Sequence, residues 1–232
     1  MTTNKSIIIL SGGLDSAVTL ATNANQHNIK LALFFNYGQK ALEKERLASK
    51  ALCEFYNIKF TEITLPWLKD ITQTSLVKNN EDIPDIDTKD LDTLKIANET
   101  KKKVWVPNRN GLFLNIAASY ADSYGYDKIF IGANKEEGET FSDNSKDFIE
   151  ATNKELEYST QVKPKVIAPL INVNKQAIIE LAKSINFPFN LIWSCYSNSE
   201  KHCGKCESCK RLKRGLERAN LFDTVNLLFN TI

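Results

Sequence analysis

The feature that most narrows the fold is a junction near the start: the apolar run Ile7-Ile8-Ile9-Leu10 passes directly into Ser11-Gly12-Gly13-Leu14-Asp15-Ser16. A short apolar run closed by a glycine pair predicts a buried strand. The polar, alanine-rich stretch over 15–26, with Leu20 and Ala24 at helical spacing, predicts a helix behind it. The order then repeats. Residues 30–37 read as a second buried strand, and Leu42, Ala48, Ala51, Leu52 and Phe55 mark one face of a second helix. The expected fold class is therefore α/β: a Rossmann-like parallel sheet with flanking helices.

A third strand is expected over 60–65. From 66 to 103 the pattern weakens, and Glu81, Asp82, Asp85, Asp87, Asp90 and Asp92 form an acidic run that reads as an irregular insertion and a candidate flap. Regularity returns with a helix over 111–124, strands over 128–133 and 165–168, and a helix over 175–185. No repeat, Gly/Ser linker or low-complexity tract splits the chain. One α/β domain over 1–187 is expected, with a C-terminal element over 188–232 packed on it, including a helix over 210–220. That element is too small to fold without a staple such as a metal.

At 232 residues and 42% hydrophobic, the chain can bury a substantial core. Thirty basic residues face 28 acidic ones, a net charge of +2, which excludes a global field that recruits nucleic acid or anionic membrane. The leading apolar run is too short for a signal-peptide core or a membrane span, so a cytoplasmic protein is expected.

The glycine pair lets successive N–H groups turn toward phosphate oxygens, and the helix behind it adds a positive N-terminal dipole. Ser11 and Ser16 can donate hydroxyl hydrogen bonds. Asp15 beside bound phosphates implies a bridging Mg²⁺. The string is neither the Walker pattern nor the dinucleotide fingerprint. It resembles the loop of the N-type ATP pyrophosphatases, which cleave ATP to AMP and pyrophosphate. That resemblance implies ATP held by residues 10–16, from Leu10 through Ser11, Gly12, Gly13, Leu14 and Asp15 to Ser16.

Cys195, Cys203, Cys206 and Cys209 have the paired spacing that lets four thiolates converge tetrahedrally on Zn²⁺. An iron–sulfur cluster, a redox pair or unligated thiols are the alternatives. A four-cysteine site is closed to substrate and points to folding rather than chemistry. Lys201, Lys205, Lys210 and Arg211 can offset its negative charge. His202 is a substitute ligand or a solvated histidine, and Cys53 stands apart. Lys210, Arg211, Lys213, Arg214 and Arg218 read as a solvated helix face, with phosphate or tRNA binding the minor alternative.

Phe35-Asn36-Tyr37-Gly38-Gln39, Val106-Pro107-Asn108-Arg109-Asn110 and Ser194-Cys195-Tyr196, in order with the first loop, resemble the 7-cyano-7-deazaguanine synthase family over nearly the whole chain. The resemblance implies a nitrile made from 7-carboxy-7-deazaguanine, ammonia and ATP. Adenylation of the carboxylate precedes the amide, and a second activation of the amide oxygen precedes elimination. Tyr37, Gln39, Asn108, Arg109 and Gly132 would then join the ATP site. Arg109 suits either the substrate carboxylate or the phosphates, and Lys175 can reach the phosphates or lie in solvent. Ser11, Asp15, Ser16, Arg109 and Lys175 are the catalytic candidates. Gly132-Ala133-Asn134 sits at a strand's carboxyl end; there Asn134, Glu136, Glu137, Thr140, Phe141 and Asp143 are expected to meet the base, Phe141 by stacking. A solvated acidic loop is the competing reading.

The sequence departs from the family pattern here. Only Phe141-Ser142-Asp143 persists of a tyrosine-rich string, and Asn36 stands for the usual aspartate. The expected partners are a small-molecule deazapurine and ammonia, with a homodimer the assembly to consider. The rival readings are a ligase joining the deazaguanine carboxylate to a protein amine, a tRNA-modifying relative, and a binding module without turnover.

Overall fold

The computed structural model describes residues 5–77 and 104–230. Five strands form one parallel sheet: β1 (Ser6–Ile9), β2 (Ile29–Asn36), β3 (Lys59–Thr64), β4 (Lys128–Phe130) and β5 (Lys165–Ile167), in the order β3-β2-β1-β4-β5. All four residues of β1 are buried, which explains why three isoleucines in a row follow Ser6: helices cover both faces of the strand. The strand order reverses direction between β1 and β4. The crevice above their carboxyl ends is thus the topological switch point where open α/β sheets bind ligands.

Two cores flank the sheet. One gathers Ile8, Val18, Leu52, Ile178, Ile192, Trp193, Cys209, Leu216 and Phe229, so α1 (Leu14–Asn23), α2 (Leu42–Phe55) and the cysteine-bearing C-terminal element share a single core. The other packs Ile7, Ile9, Phe35 and Leu114 beneath α4 (Arg109–Tyr124). Here Phe35 and Phe113 stack with ring centroids 3.9 Å apart.

Several expectations are corrected. Pro66–Ile71, the start of the segment expected to be irregular, is a helix (α3) opened by its proline. The remainder of the expected flap, including the acidic run, lies outside the described residues. The stretch expected as an acidic loop is helical: α5 (Lys135–Thr140) is followed by a 3₁₀ turn at Ser142–Asn144. Behind it lies α6 (Lys146–Ser159), a helix the sequence reading did not assign. Ser145 caps it by accepting from the Phe148 N–H at 3.2 Å, and Ile149, Thr152 and Leu156 give it a buried stripe. Three α-helices follow β5 among the described residues: α7 (Lys175–Ser184), then α8 (Glu207–Arg218) and the short α9 (Phe222–Leu228).

Candidate active site

The loop after β1 is held by its own serines. Ser16 Oγ accepts from the Ser11 N–H at 3.3 Å, lies 3.1 Å from Ser11 Oγ and donates to the Gly13 carbonyl at 3.1 Å. Gly12 sits at φ +77°, and a Cβ there would come within 2.8 Å of the Glu45 carbonyl. Only glycine meets both conditions. Gly132 meets a different one: its Cβ would stand 2.6 Å from Ser16 N and 2.8 Å from Ser16 Cα. The end of β4 is therefore pressed against the start of α1, and β4 stops at Phe130 rather than running to Ala133.

Above this junction opens a cleft of about 250 Å³. Leu10, Ser11, Gly13, Leu14, Asp15, Ser16, Tyr37, Arg109, Gly132 and Lys175 line it, bringing ten of the expected nucleotide and catalytic positions to one surface. Gly12 shapes the turn beneath. Gln39 braces the wall: its Oε1 accepts from the Tyr37 N–H and its Nε2 donates to the Phe35 carbonyl and to Glu45 Oε2, each at 3.0 Å. Asn108, in the left-handed conformation at φ +50°, precedes α4.

Charge is concentrated at the loop's mouth. Lys175 Nζ lies 2.5 Å from Asp15 Oδ2 and 3.8 Å from Glu137 Oε1. Burial works against the Lys175 charge, but Asp15 and Glu137 outweigh it and hold its pKa above the ordinary value. Burial pushes the Glu137 carboxyl up, against the pull of Lys175. Arg109 follows the same logic: burial disfavours its charge, while Tyr37 and Asp143 raise its pKa. Its Nη1 donates to the Tyr37 hydroxyl at 3.5 Å. Such an array suits polyanionic phosphate, with fixed cations in a partly dry cleft.

Of the residues expected to meet the base, Glu137 alone lines the cleft. Asn134 is fully buried, and its Oδ1 accepts from the Glu137 N–H at 3.0 Å, capping α5. Glu136 anchors two helices: Oε1 accepts from the Lys175 N–H at 2.8 Å and Oε2 from Arg211 Nη1 at 2.9 Å. The Thr140 hydroxyl turns back onto the Glu136 carbonyl, and Phe141 lies parallel to Trp105 with centroids 6.3 Å apart. Asp143 accepts from Asn110 Nδ2 through its backbone carbonyl. Beside Glu137 the cleft is lined by Asn144, Phe113 and Tyr196, none of them among the expected residues. Asn144 was hidden because the stretch was read as loop. Tyr196 carried a signal, since it directly follows Ser194-Cys195. Glu45, a further wall residue, carried none. Its carboxyl is pushed up to about 7 by burial, opposed by the Gln39 hydrogen bond.

The four cysteine sulfurs lie within 4.8 Å of one another, and Cys203 and Cys209 Sγ are 3.8 Å apart. Four thiolates about 2.3 Å from one metal have edges of about 3.8 Å. The N–H groups of Ser197 and Cys203 point at Cys195 Sγ, and those of Lys205 and Cys206 at Cys203 Sγ, all at 3.4 Å. These donors stabilise sulfur as thiolate, so the cluster fits a metal. His202 is neither solvated nor a ligand: it is 2% exposed, and its Nε2 accepts from the Ser194 N–H at 3.0 Å. Burial pushes it down to about 4, keeping it a neutral acceptor. Arg211 is likewise no solvated cation, since Glu136 and Glu207 both hold it. Cys53 is buried in the core, with its thiol pushed up to about 12 by burial.

Residues 5–220 match the family model described as Queuosine biosynthesis protein QueC. The chain is 44% identical over 217 residues to a 7-cyano-7-deazaguanine synthase of Pelotomaculum thermopropionicum, covering 94% of this chain and 98% of that protein. It is 48% identical over 210 residues to one from Carboxydothermus hydrogenoformans, covering 90% and 97%. With one from Methanosarcina mazei it shares 44% over 222 residues, covering 94% and 96%. A match that runs from β1 through α8, and so takes in both the glycine loop and the cysteine cluster, leaves one conclusion: the chain belongs to the QueC family of queuosine biosynthesis proteins.

Proposed function

We propose that this protein is an ATP-dependent C–N bond-forming enzyme that converts 7-carboxy-7-deazaguanine and ammonia to 7-cyano-7-deazaguanine. The observation that carries the reading is the cleft at the β1/β4 switch point, where a serine-braced glycine loop, the Asp15–Lys175 pair and Arg109 face one another. The curated relatives that match this chain along nearly all of its length bear the name of that synthase. Nothing in the site favours a protein amine over ammonia as the acceptor.

The chemistry divides into two activations. A carboxylate is a poor electrophile, so its oxygen attacks the α-phosphorus of ATP and pyrophosphate departs. Ammonia then adds to the acyl carbon, and AMP leaves with the C–O bond, giving the amide. The amide oxygen attacks the α-phosphorus of a second ATP, pyrophosphate departs and one N–H proton is lost; departure of AMP with the C–O bond and loss of the second N–H proton then yield the nitrile. Gly13 and Leu14, at the positive end of α1, face the departing phosphates. Lys175 and Arg109 supply fixed charge that stabilises the transferring phosphoryl group, and Ser11 and Ser16 hold the loop's geometry.

Asp15 Oδ1 is buried and without a hydrogen-bond partner, while Oδ2 is taken by Lys175. An anionic oxygen in that position fits a divalent cation, and Mg²⁺ there would neutralise the phosphates. The four cysteines fit structural Zn²⁺ in a closed four-thiolate site. Glu137, Asn144, Phe113 and Tyr196 offer the polar and aromatic groups that a flat, amino-bearing base requires.

The test is to incubate purified protein with 7-carboxy-7-deazaguanine, Mg-ATP and ammonium and follow deazapurine masses. The nitrile is expected. Accumulation of adenylate or amide alone would shift the assignment toward a ligase, and no ATP-dependent change would overturn the substrate.

A further inference from the structure

We infer that Ser194 is a phosphate-binding residue of the nucleotide site, and that His202 is the positioning residue that holds it there. The inference rests on the reading of the cleft as an ATP site.

Ser194 is 180 residues from the loop in sequence, yet its Oγ accepts from the Leu14 N–H at 3.2 Å, in the first turn of α1. That bond uses the oxygen as acceptor and leaves the hydroxyl proton to donate; among the described residues no acceptor takes it. The side chain lines the cleft beside Gly13 and Asp15. A hydroxyl fixed at a helix N-terminus, facing a cleft built for anions, is oriented to donate to a phosphate oxygen.

The segment carrying it has no strand or helix of its own. Besides the Leu14 bond, two backbone hydrogen bonds hold it. The Trp193 N–H donates to the Gly12 carbonyl at 2.8 Å, joining segment and loop directly. On the other side the Ser194 N–H donates to His202 Nε2 at 3.0 Å. His202 is itself immobilised: its ring lies 4.5 Å from that of Trp193 and 5.3 Å from that of Phe229, and its backbone N–H donates to the Leu228 carbonyl. Removing the imidazole leaves the part-buried Ser194 N–H without its acceptor, so the segment must shift to satisfy it. A shift of the Ser194 backbone moves the hydroxyl off the phosphate. The sulfur cluster flanks this arrangement on both sides, with Cys195 next to Ser194 and Cys203 next to His202.

The test measures binding of Mg²⁺ and the non-cleavable α,β-methylene analogue of ATP by titration calorimetry, with bound zinc quantified on the same preparations. Ser194→Ala and His202→Ala are each expected to weaken binding on the order of tenfold or more, the loss of one hydrogen bond to a charged group. Zinc content should match the wild type. His202→Gln, whose amide oxygen can replace Nε2 as acceptor, is expected to bind within about threefold of wild type. The inference is overturned if Ser194→Ala binds as tightly as wild type, or if His202→Ala weakens binding only in proportion to zinc lost. Failure of the wild type itself to bind the analogue would instead remove the ATP reading beneath it.

Discussion

The contact between Gly132 and the start of α1 makes Gly132→Ala the sharpest probe of the site. The added Cβ would stand 2.6 Å from Ser16 N, where ordinary contact begins near 3.4 Å, so loop and strand end must part by about 0.8 Å. The clashing atoms are backbone, and no rotamer change relieves them. Overpacking of this kind costs about 1–3 kcal/mol. For a chain of this size that is a fall in Tm of about 2–12 °C, at about 2–4 °C per kcal/mol. The catalytic cost exceeds the stability cost, because displacing aligned groups by about 1 Å lowers turnover on the order of 10²-fold. Gly125→Ala is the matched control: nothing lies within 4 Å of its added Cβ, but its φ of +69° strains any L side chain. It should lose about 1–2 kcal/mol of stability with ATP kinetics unchanged. The assay is kcat/KM for ATP in nitrile formation beside thermal melts of both variants. Gly132→Ala retaining kcat/KM within about threefold would refute the claim that close strand-to-loop approach sets the nucleotide geometry.

Lys175→Ala strands the Asp15 carboxylate and should cut kcat/KM on the order of 10²-fold or more; Asp15→Asn added to it should recover stability though not activity, and thermal melts of the double-mutant cycle read that coupling. Stability should decline with pH through Glu45: its folded pKa, about 7, lies above the unfolded value, so its contribution is complete below about pH 4.5 and lost as pH rises through 7. Glu45→Gln should flatten that slope in denaturant titrations between pH 5 and 8, and an unchanged slope would place the titration elsewhere. Cys206→Ser, which removes a thiolate from the buried cluster, should release zinc and lower the Tm by several degrees, and should also weaken nucleotide binding because Trp193 and Ser194 lose their support.

The strands and the loop were legible because their signals are local. An isoleucine run needs no tertiary context to read as a buried strand, and a glycine pair after it has few other uses. The cysteine cluster was legible because ligand spacing encodes geometry directly. What failed was the stretch from Asn134 to Ser159. Glu136, Glu137 and Asp143 made it look solvated, yet Glu136 is tied to Arg211 and to the Lys175 backbone, Asn134 caps α5 and Ser145 caps α6. Polar side chains that satisfy backbone and those that meet ligands look alike in one sequence. Only the three-dimensional partner distinguishes them. His202 failed for the same reason: its acceptor role depends on Ser194, and aromatic packing by Trp193 and Phe229 buries a residue type that is ordinarily wet.

The sharing of one core between the sheet and the cysteine element gives that element a reason to exist. A phosphate-binding loop must present its N–H groups without rearranging when charge develops, since reorganisation at that moment cancels the electrostatic gain. On one side β4 supplies rigidity by direct contact at Gly132. On the other there is no strand to do so: the Trp193–Ser194 segment is irregular backbone, and irregular backbone is stiff only where its groups are all engaged. The sulfur cluster, His202 and the Leu228 carbonyl engage them. The sulfur cluster thus braces the flank of the nucleotide loop, which makes nucleotide affinity, rather than stability alone, the quantity expected to report its loss.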